Sequence, residues 1–200
     1  MDDFDCLGIG NFNSTLPNLA GQFSGTLILV ASAACVWKDL DRAGMALNYD
    51  AHGHVMCVND MIMHYPGPIV HAYSNNHAFL PKWIAARRDQ FDTRWGKPKY
   101  VHSNRTGGKY TWPWPGHGTS TLNAVYTAIA LGYTDIRLCG APLDNSNHYF
   151  EPPWMGTNFE QQMVVENGRM KYWTQAKDKI FKGRVTSYSG RSRDLLGEPS

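Results

Sequence analysis

The sequence predicts an α/β protein: a single Rossmann-like domain with a mostly parallel sheet and helices on both faces. Short apolar runs of strand length alternate with helical segments, which is typical of a parallel sheet covered by helices. The runs are continuously apolar rather than alternating, as in strands buried on both faces. The length of 200 residues suits one domain with a core that needs no disulfides.

The predicted domain covers residues 26–200 and follows an irregular N-terminal arm, residues 1–25, which is rich in Asn, Gly and Ser and has no sustained period. In chain order, strands are predicted at 26–31, 54–59, 69–73, 99–102, 136–139 and 184–187. Helices are predicted at 36–43, 79–88, from Thr119 or Ser120 to Gly132, and at 170–181.

Two long segments, 103–118 and 140–168, have no predicted secondary structure. Their aromatic and proline content argues against disorder, and loops of this length in a compact domain are usually functional. The tryptophans of Trp112-Pro-Trp114-Pro must be buried by a ligand, a partner or loop packing.

Residues 116–144, GHGTSTLNAVYTAIALGYTDIRLCGAPLD, combine a helix, a strand and polar ends. Apolar residues recur at i, i+3, i+4 and i+7, which predicts one helical stripe facing the sheet. That stripe consists of Leu122, Val125, Tyr126 and Ile129. Gly132 fits the left-handed position that ends a helix. The middle of this segment is explained by packing, so any chemistry is expected at its two ends.

The first of these ends is a candidate anion site. Gly118, Thr119 and Ser120 place bare backbone and hydroxyl groups at a helix start, where unsatisfied N–H groups and the helix dipole favour negative charge. Thr119 or Ser120 also suits a plain capping role. Phosphate binding and capping both stay open.

Small or hydrogen-bonding residues follow each predicted strand. In an open parallel sheet, ligands bind beyond the carboxyl ends of the strands, so these residues are expected to share one rim. Four arginines could pair with a phosphate, and Arg105 is preferred because it lies in a loop beyond a strand end. The candidate ligand-binding residues are Ser32, Asn59, Asp60, Arg105, Gly118, Thr119 and Ser120.

Asp144 and His148 are the candidate catalytic pair, because a histidine near neutrality can take a proton from an acceptor hydroxyl. The alternative is a surface Asx-turn with a hydrogen-bonded histidine. No resident metal site is predicted: His52-Gly-His54 lacks a third ligand. Asp39-Leu-Asp41 lies in a predicted helix, where residues i and i+2 do not share a face.

Composition narrows the class of protein. With 19 basic and 17 acidic residues, bulk charge argues against nucleic-acid binding, although a local basic face is compatible with it. The four cysteines lack C-x-x-C spacing, which favours a reducing compartment. No apolar stretch suits a membrane span and the N-terminus lacks a basic n-region, so a cytoplasmic protein is expected.

Residues 118–144 resemble a pattern in a sialyltransferase-like superfamily: a small-residue helix, Leu-Gly, an acidic residue, a strand and Gly-x-x-x-Asp. The superfamily includes bacterial sialyltransferases and archaeal-type 6-hydroxymethylpterin pyrophosphokinase-like proteins, many of them from phages. Asn59-Asp60 resembles the Asn-Asp that lies beside the nucleotide in sialyltransferases. The family's Gly-x-Gly-Pro-Ser-Leu-like turn corresponds to residues 30–40 here, where the glycines are missing.

The resemblance implies a transferase of glycosyltransferase type with a nucleotide or nucleotide-sugar co-substrate, and a phage-encoded origin with a bacterial host cytoplasm as its location. Pyrophosphate transfer from ATP with Mg²⁺ is one alternative. The other is a non-catalytic phage protein with a structural or host-interaction role. A homo-oligomer and a phage or host protein partner stay open.

Overall fold

A computed structural model describes residues 4, 16–45, 53–91, 95–115, 119–144, 146–151 and 159–200, without the side chains of 159–167. Its centre is one seven-stranded sheet in the order β5-β4-β3-β2-β1-β6-β7, with every neighbouring pair parallel. The strands are β1 Thr26–Val30, β2 His54–Val58, β3 His71–Tyr73, β4 Tyr100–Ser103, β5 Tyr110–Thr111, β6 Asp135–Cys139 and β7 Val185–Ser187. This confirms the predicted α/β class and is consistent with a Rossmann-like domain.

Six α-helices cover the sheet in the described ranges. They are α1 Val36–Arg42, α2 Met61–His64, α3 Leu80–Gln90, α4 Ser120–Leu131, α5 Phe159–Ala176 and α6 Gly190–Leu196. A 3₁₀ turn, His77–Phe79, leads into α3, and a π-helical turn, Lys177–Phe181, continues α5. None of the described helices is long and apolar enough to cross a membrane.

Alternating residues of β1 separate two hydrophobic cores. Leu27 and Leu29 belong to a core formed with α4 and the end of α5. Ile28 and Val30 point the other way, into a core formed with α1, α2 and α3. Helices therefore cover both faces, as predicted. The strands β1 to β5 are added toward one edge of the sheet, and β6 and β7 are added toward the other. With right-handed crossovers, the helices that connect the two halves lie on opposite faces of the sheet.

Helix α4 differs from the predicted single stripe, because every residue from Leu122 to Leu131 is buried. Trp112 and Trp114 pack over it, together with Phe4 from the N-terminal arm. The two tryptophan rings stack at 5.7 Å, so loop packing accounts for their burial. The predicted helix ends are confirmed: Thr119 accepts from the Leu122 amide at 3.1 Å, and Gly132 has φ 111°.

Several predicted bounds were wrong. Helix α5 begins at Phe159 rather than at residue 170, and β5 lies within the segment predicted to lack secondary structure. Helix α2 was not predicted either. A two-residue strand and a four-residue helix are too short to show a repeating pattern of apolar residues. The described part of the N-terminal arm consists of Phe4 and residues 16–25. Residues 16–25 form only turns and irregular structure, and the first strand begins at Thr26. Phe4 and Leu19 are nevertheless buried in the core beside α4.

Candidate functional site

A crevice opens where the strand order reverses. The chain leaves β1 toward β2 on one side and returns to β6 on the other, so the loops after β1 and β6 diverge. Ligands bind at such switch points in open α/β sheets. A cavity of about 610 Å³ lies there, and residues following β1, β2 and β6 line it together with the start of α4. The predicted rim is thus a physical cavity.

Six of the predicted site residues line this cavity: Ser32, Asn59, Thr119, Ser120, Asp144 and His148. They come from four separate segments of the chain, which the parallel sheet brings to one edge. The two ends of the 116–144 segment meet here, as expected, because a helix that follows a strand starts at the same edge at which the next strand ends. Gly118 lies outside the described residues.

The structure does not bring Arg105, the preferred phosphate-pairing arginine, to this cavity. Its side chain is exposed and does not line the cavity. Arg105 follows β4, which β3 and β2 separate from β1, a displacement of roughly 14 Å at about 4.8 Å per strand. Arg87, another phosphate candidate, is buried and donates to the backbone carbonyls of Ile62, Tyr65, Gly67 and Trp95. It holds α3 in place instead.

His148 is fixed beside Ser32 by backbone pairing. The Ala34 amide donates to the Asn147 carbonyl at 2.8 Å, and the Tyr149 amide donates to the Ser32 carbonyl at the same distance. This antiparallel contact places His148 Nδ1 2.6 Å from Ser32 Oγ. Ser32 is only 5% exposed. The pairing of serine and histidine therefore follows from the chain path and not from flexible side chains alone.

The carboxylate nearest the His148 ring is Asp60 and not Asp144. Asp60 Oδ2 lies 4.0 Å from His148 Nδ1. Asp144 instead accepts hydrogen bonds from the amide and hydroxyl of Ser146, so it forms the Asx-turn that was the alternative interpretation. Asp144 and His148, the predicted catalytic pair, thus line the same cavity without Asp144 being the carboxylate beside the imidazole. Spacing in a loop does not determine which way two side chains point.

Asp60, which was predicted to bind the ligand, does not line the cavity and lies beside His148 instead. Its Oδ1 atom is buried and has no hydrogen-bond partner among the described residues. Burial and the nearby Asp60 charge raise the pKa of Tyr149 to about 12. A negative charge here favours a proton on His148 Nδ1, which then donates to Ser32 Oγ and leaves Nε2 with a free lone pair. This tautomer is inferred from the charge distribution.

The start of α4 forms the opposite wall. Thr119 uses its hydroxyl to cap the helix, and Ser120 Oγ accepts from the Asn75 amide at 3.2 Å. Both side chains are thus structurally engaged. The first amides of a twelve-residue helix lack intrahelical acceptors, and Ser120 and Thr121 line the cavity. This wall therefore offers backbone N–H groups and a helix dipole to an anion.

Left-handed backbone concentrates around the cavity. Asn59 and Leu143 are two of the three described non-glycine residues with positive φ, at 55° and 54°. Gly140 has φ 68°, and an added Cβ would lie 2.1 Å from the carbonyl oxygen of Ala31. Such conformations cost free energy and often mark functional sites. Here they direct the loops after β2 and β6 around the cavity.

Two charged residues of the cavity were missed in the sequence. Arg169 lies on α5 and lines the cavity. It precedes the helix that was predicted at 170–181. Glu151 also lines the cavity and accepts from the backbone amide of His148 at 3.0 Å. Arg169 gave no local signal, since exposed cations are common on helices. Only the packing of α5 brings its side chain to this edge.

The other chemical candidates have structural roles or are unreactive. Asp39 is buried and accepts from the Gly140 amide at 2.9 Å and from Ser189, whereas Asp41 is exposed, so the two do not share a site. Burial raises the pKa of the Cys57 and Cys139 thiols, which disfavours the nucleophilic thiolate. Within the described ranges, no three His, Cys, Asp or Glu residues could together hold a metal ion. His52 lies outside those ranges.

Comparison with known proteins returned no relative. No protein-family model matches the chain, and neither a curated protein nor a solved structure does.

Proposed function

We propose that this protein is a nucleotide- or nucleotide-sugar-binding transferase of glycosyltransferase type, which moves a group to an acceptor hydroxyl. One observation carries the proposal: a histidine beside a serine and a carboxylate shares a switch-point cavity with a helix N-terminus. The resemblance of residues 118–144 and of Asn59-Asp60 to the sialyltransferase-like superfamily agrees with this assignment. The cavity volume of about 610 Å³ is in the range of small-molecule and cofactor sites.

The donor's phosphate is proposed to bind at the start of α4. Ser120, Thr121 and Arg169 line the cavity, and the amides of a helix start and a guanidinium both favour an anion. These groups also stabilise the negative charge that develops on the departing phosphate oxygen. Asn59, at the end of β2, would contact the nucleotide.

His148 is proposed to be the general base. Its Nε2 takes the proton of the acceptor hydroxyl while the acceptor oxygen forms a bond to the transferred group. The bond between that group and the donor phosphate breaks, and the phosphate oxygen keeps the electron pair. Asp60 and Ser32 hold the imidazole and stabilise its positive charge, so they are positioning residues.

Thermal unfolding with nucleotides and nucleotide-sugars tests the binding part. A ligand at 100 times its Kd should stabilise the chain by about 2.7 kcal/mol, a rise in Tm of roughly 5–10 °C for this size. Arg169→Gln should weaken binding about tenfold. The matched control is Lys171→Gln, which alters an exposed residue of the same helix that does not line the cavity. No stabilisation by any nucleotide at millimolar concentration contradicts the proposal.

Pyrophosphate transfer from ATP is the second candidate. The cavity is lined by two carboxylates, Asp144 and Glu151, which could accompany Mg²⁺ and ATP phosphates. Phosphorus NMR with ATP, Mg²⁺ and hydroxymethyl acceptors distinguishes it, because this reaction forms AMP. A non-catalytic role is favoured instead if a Ser32→Ala, His148→Gln double variant keeps the full biological function.

A further inference from the structure

A second concave surface lies at the other side of the sheet, away from the switch point. This basic groove has a volume of about 430 Å³ between α3 and β4. Its floor is aliphatic and is formed by Leu80, Ile84 and Val101. Its rim carries three cations, Arg88, Lys97 and Lys109, and no acidic residue lines it among those described. The cavity at the switch point has none of these lining residues.

The surrounding stretch of chain is strongly basic. Residues 75–111 contain eight Lys or Arg residues and two Asp residues, a formal charge of +6, whereas the whole chain has +2. The remaining residues therefore sum to −4. The lysines and Arg88 of the rim are exposed, and Arg88 has one carboxylate neighbour, Asp89, at 3.4 Å. The small net charge of the whole protein therefore does not reflect the strongly basic character of residues 75–111.

A buried arginine anchors α3, the helix that forms one side of the groove. Arg87 binds four backbone carbonyls from the α2 region and from Trp95, which fixes the position of α3. Arg88 is the next residue along the helix and points outward, with 60% of its side chain exposed. The two adjacent arginines therefore have different roles: Arg87 anchors the helix, and Arg88 faces solvent at the rim of the groove.

We infer that the basic groove binds an acidic amphipathic segment of a partner protein, in which apolar side chains are flanked by Asp or Glu. The aliphatic floor would bury the apolar side chains, and the cations would pair with the carboxylates. Single-stranded nucleic acid fits less well, because its bases stack on aromatic rings, and the floor has none. A lipid surface fits less well too, because insertion needs protruding apolar side chains rather than a concave floor.

The test is selection from a displayed library of random 12-residue peptides, with depletion against the Lys97→Glu, Lys109→Glu variant. Selected sequences should carry Asp or Glu next to Leu, Ile or Phe. Synthesised peptides should bind the wild type with a Kd that rises with salt, and the double charge reversal should weaken binding 10- to 100-fold. Ile84→Ser should weaken it about tenfold. A Lys171→Glu, Lys177→Glu variant, with one change in α5 and one in the π-helical turn that follows it, controls for the overall charge and should bind as the wild type does.

Several outcomes overturn the inference. These are a library without enrichment, enriched peptides that lack acidic residues, and peptides that bind the groove variant and the wild type equally. Oligo-dT or vesicles with phosphatidylserine are tested in parallel. Tighter binding of either one than of the peptides, with the same loss in the groove variant, assigns the groove to nucleic acid or to membrane instead. Circular dichroism confirms that each variant is folded.

Discussion

At the scale of single residues, the proposed chemistry of the site depends on which carboxylate lies nearest the imidazole of His148. Asp60 Oδ2 is 4.0 Å from Nδ1 of that ring and Ser32 Oγ is 2.6 Å away, whereas Asp144 is engaged by Ser146. At 4.0 Å the Asp60 carboxylate makes no hydrogen bond to the ring, so its proposed effect on His148 is electrostatic, whereas Ser32 makes the direct contact.

Asp60→Asn should lower the rate of group transfer at saturating nucleotide about 10- to 100-fold, because it removes the charge that supports the imidazolium. Long-range proton–nitrogen NMR should show Nδ1–H in the wild type and a larger share of Nε2–H in the variant. Asp144→Asn is the matched control and should change neither measurement. An unchanged tautomer and rate in Asp60→Asn would show that Asp60 is not a positioning residue.

Gly140 gives a second prediction at this scale. Gly140→Ala should lower the free energy of unfolding by about 3 kcal/mol, because a Cβ would meet the Ala31 carbonyl oxygen at 2.1 Å and φ is 68°. Gly21 has a similar φ of 70° with nothing within 4 Å, so Gly21→Ala should cost only about 1 kcal/mol. Urea denaturation measures both. Equal losses would mean that the close approach to Ala31 has no cost.

At the scale of elements, a chain of buried hydrogen bonds joins β3 and β4 to Trp112 and to the loop after α4. Trp112 donates to His102 at 3.1 Å, His102 contacts His71 at 3.0 Å, and His71 contacts the Tyr133 hydroxyl at 2.9 Å. Tyr133 in turn contacts His54. An indole N–H can only donate, so His102 Nδ1 accepts, His102 Nε2–H donates to His71 Nδ1, and His71 Nε2–H donates to the Tyr133 hydroxyl. The imidazoles of His71 and His102 must therefore both be neutral.

Stability should therefore fall in mild acid. Burial lowers the pKa of His71 to about 2 and that of His102 to about 3. Below pH 6.5 the unfolded chain takes up protons at these residues and the folded chain does not, so stability is complete above about pH 7.5 and decreases as the pH falls. From pH 7.5 to 5.5 the loss should be roughly 2–3 kcal/mol for the two residues.

Urea midpoints at the two pH values measure this loss. His102→Asn removes one of the two histidines and should reduce the pH dependence by about half, although it also lowers stability at both pH values. A wild-type midpoint that stays the same from pH 7.5 to 5.5 would contradict the assignment of neutral, buried histidines.

At the scale of the whole molecule, two described residues of the N-terminal arm, Phe4 and Leu19, belong to the core. Phe4 is 2% exposed and packs against Trp114 and Tyr126, with ring centroids 5.0 and 6.0 Å away. Phe4→Ala should lower the free energy of unfolding by about 3–5 kcal/mol, as for other buried phenylalanines. Phe79→Ala, at a residue 52% exposed, is the control and should cost less than about 1 kcal/mol. A similar small loss in both variants would place the arm outside the folding unit.

Much of the fold follows from local patterns. The runs of β1 and most of β2 are apolar on both faces because two helical layers cover the sheet, and the Thr119 cap and Gly132 mark the ends of α4. The elements that the pattern missed, α2, β5 and α6, have two to seven residues. Elements this short take their conformation from the larger ones that they pack against.

The sequence by itself determined that the sheet is parallel and that polar residues follow its strands, because hydrophobic period and strand polarity are local properties. Only the tertiary structure decided which of those residues share a cavity. Strand order excluded Arg105, the path of the loop after β6 brought His148 to Ser32 and Asp60, and the packing of α5 added Arg169. Strand order and loop path depend on contacts between distant segments, since Ser32 and His148 are 116 residues apart.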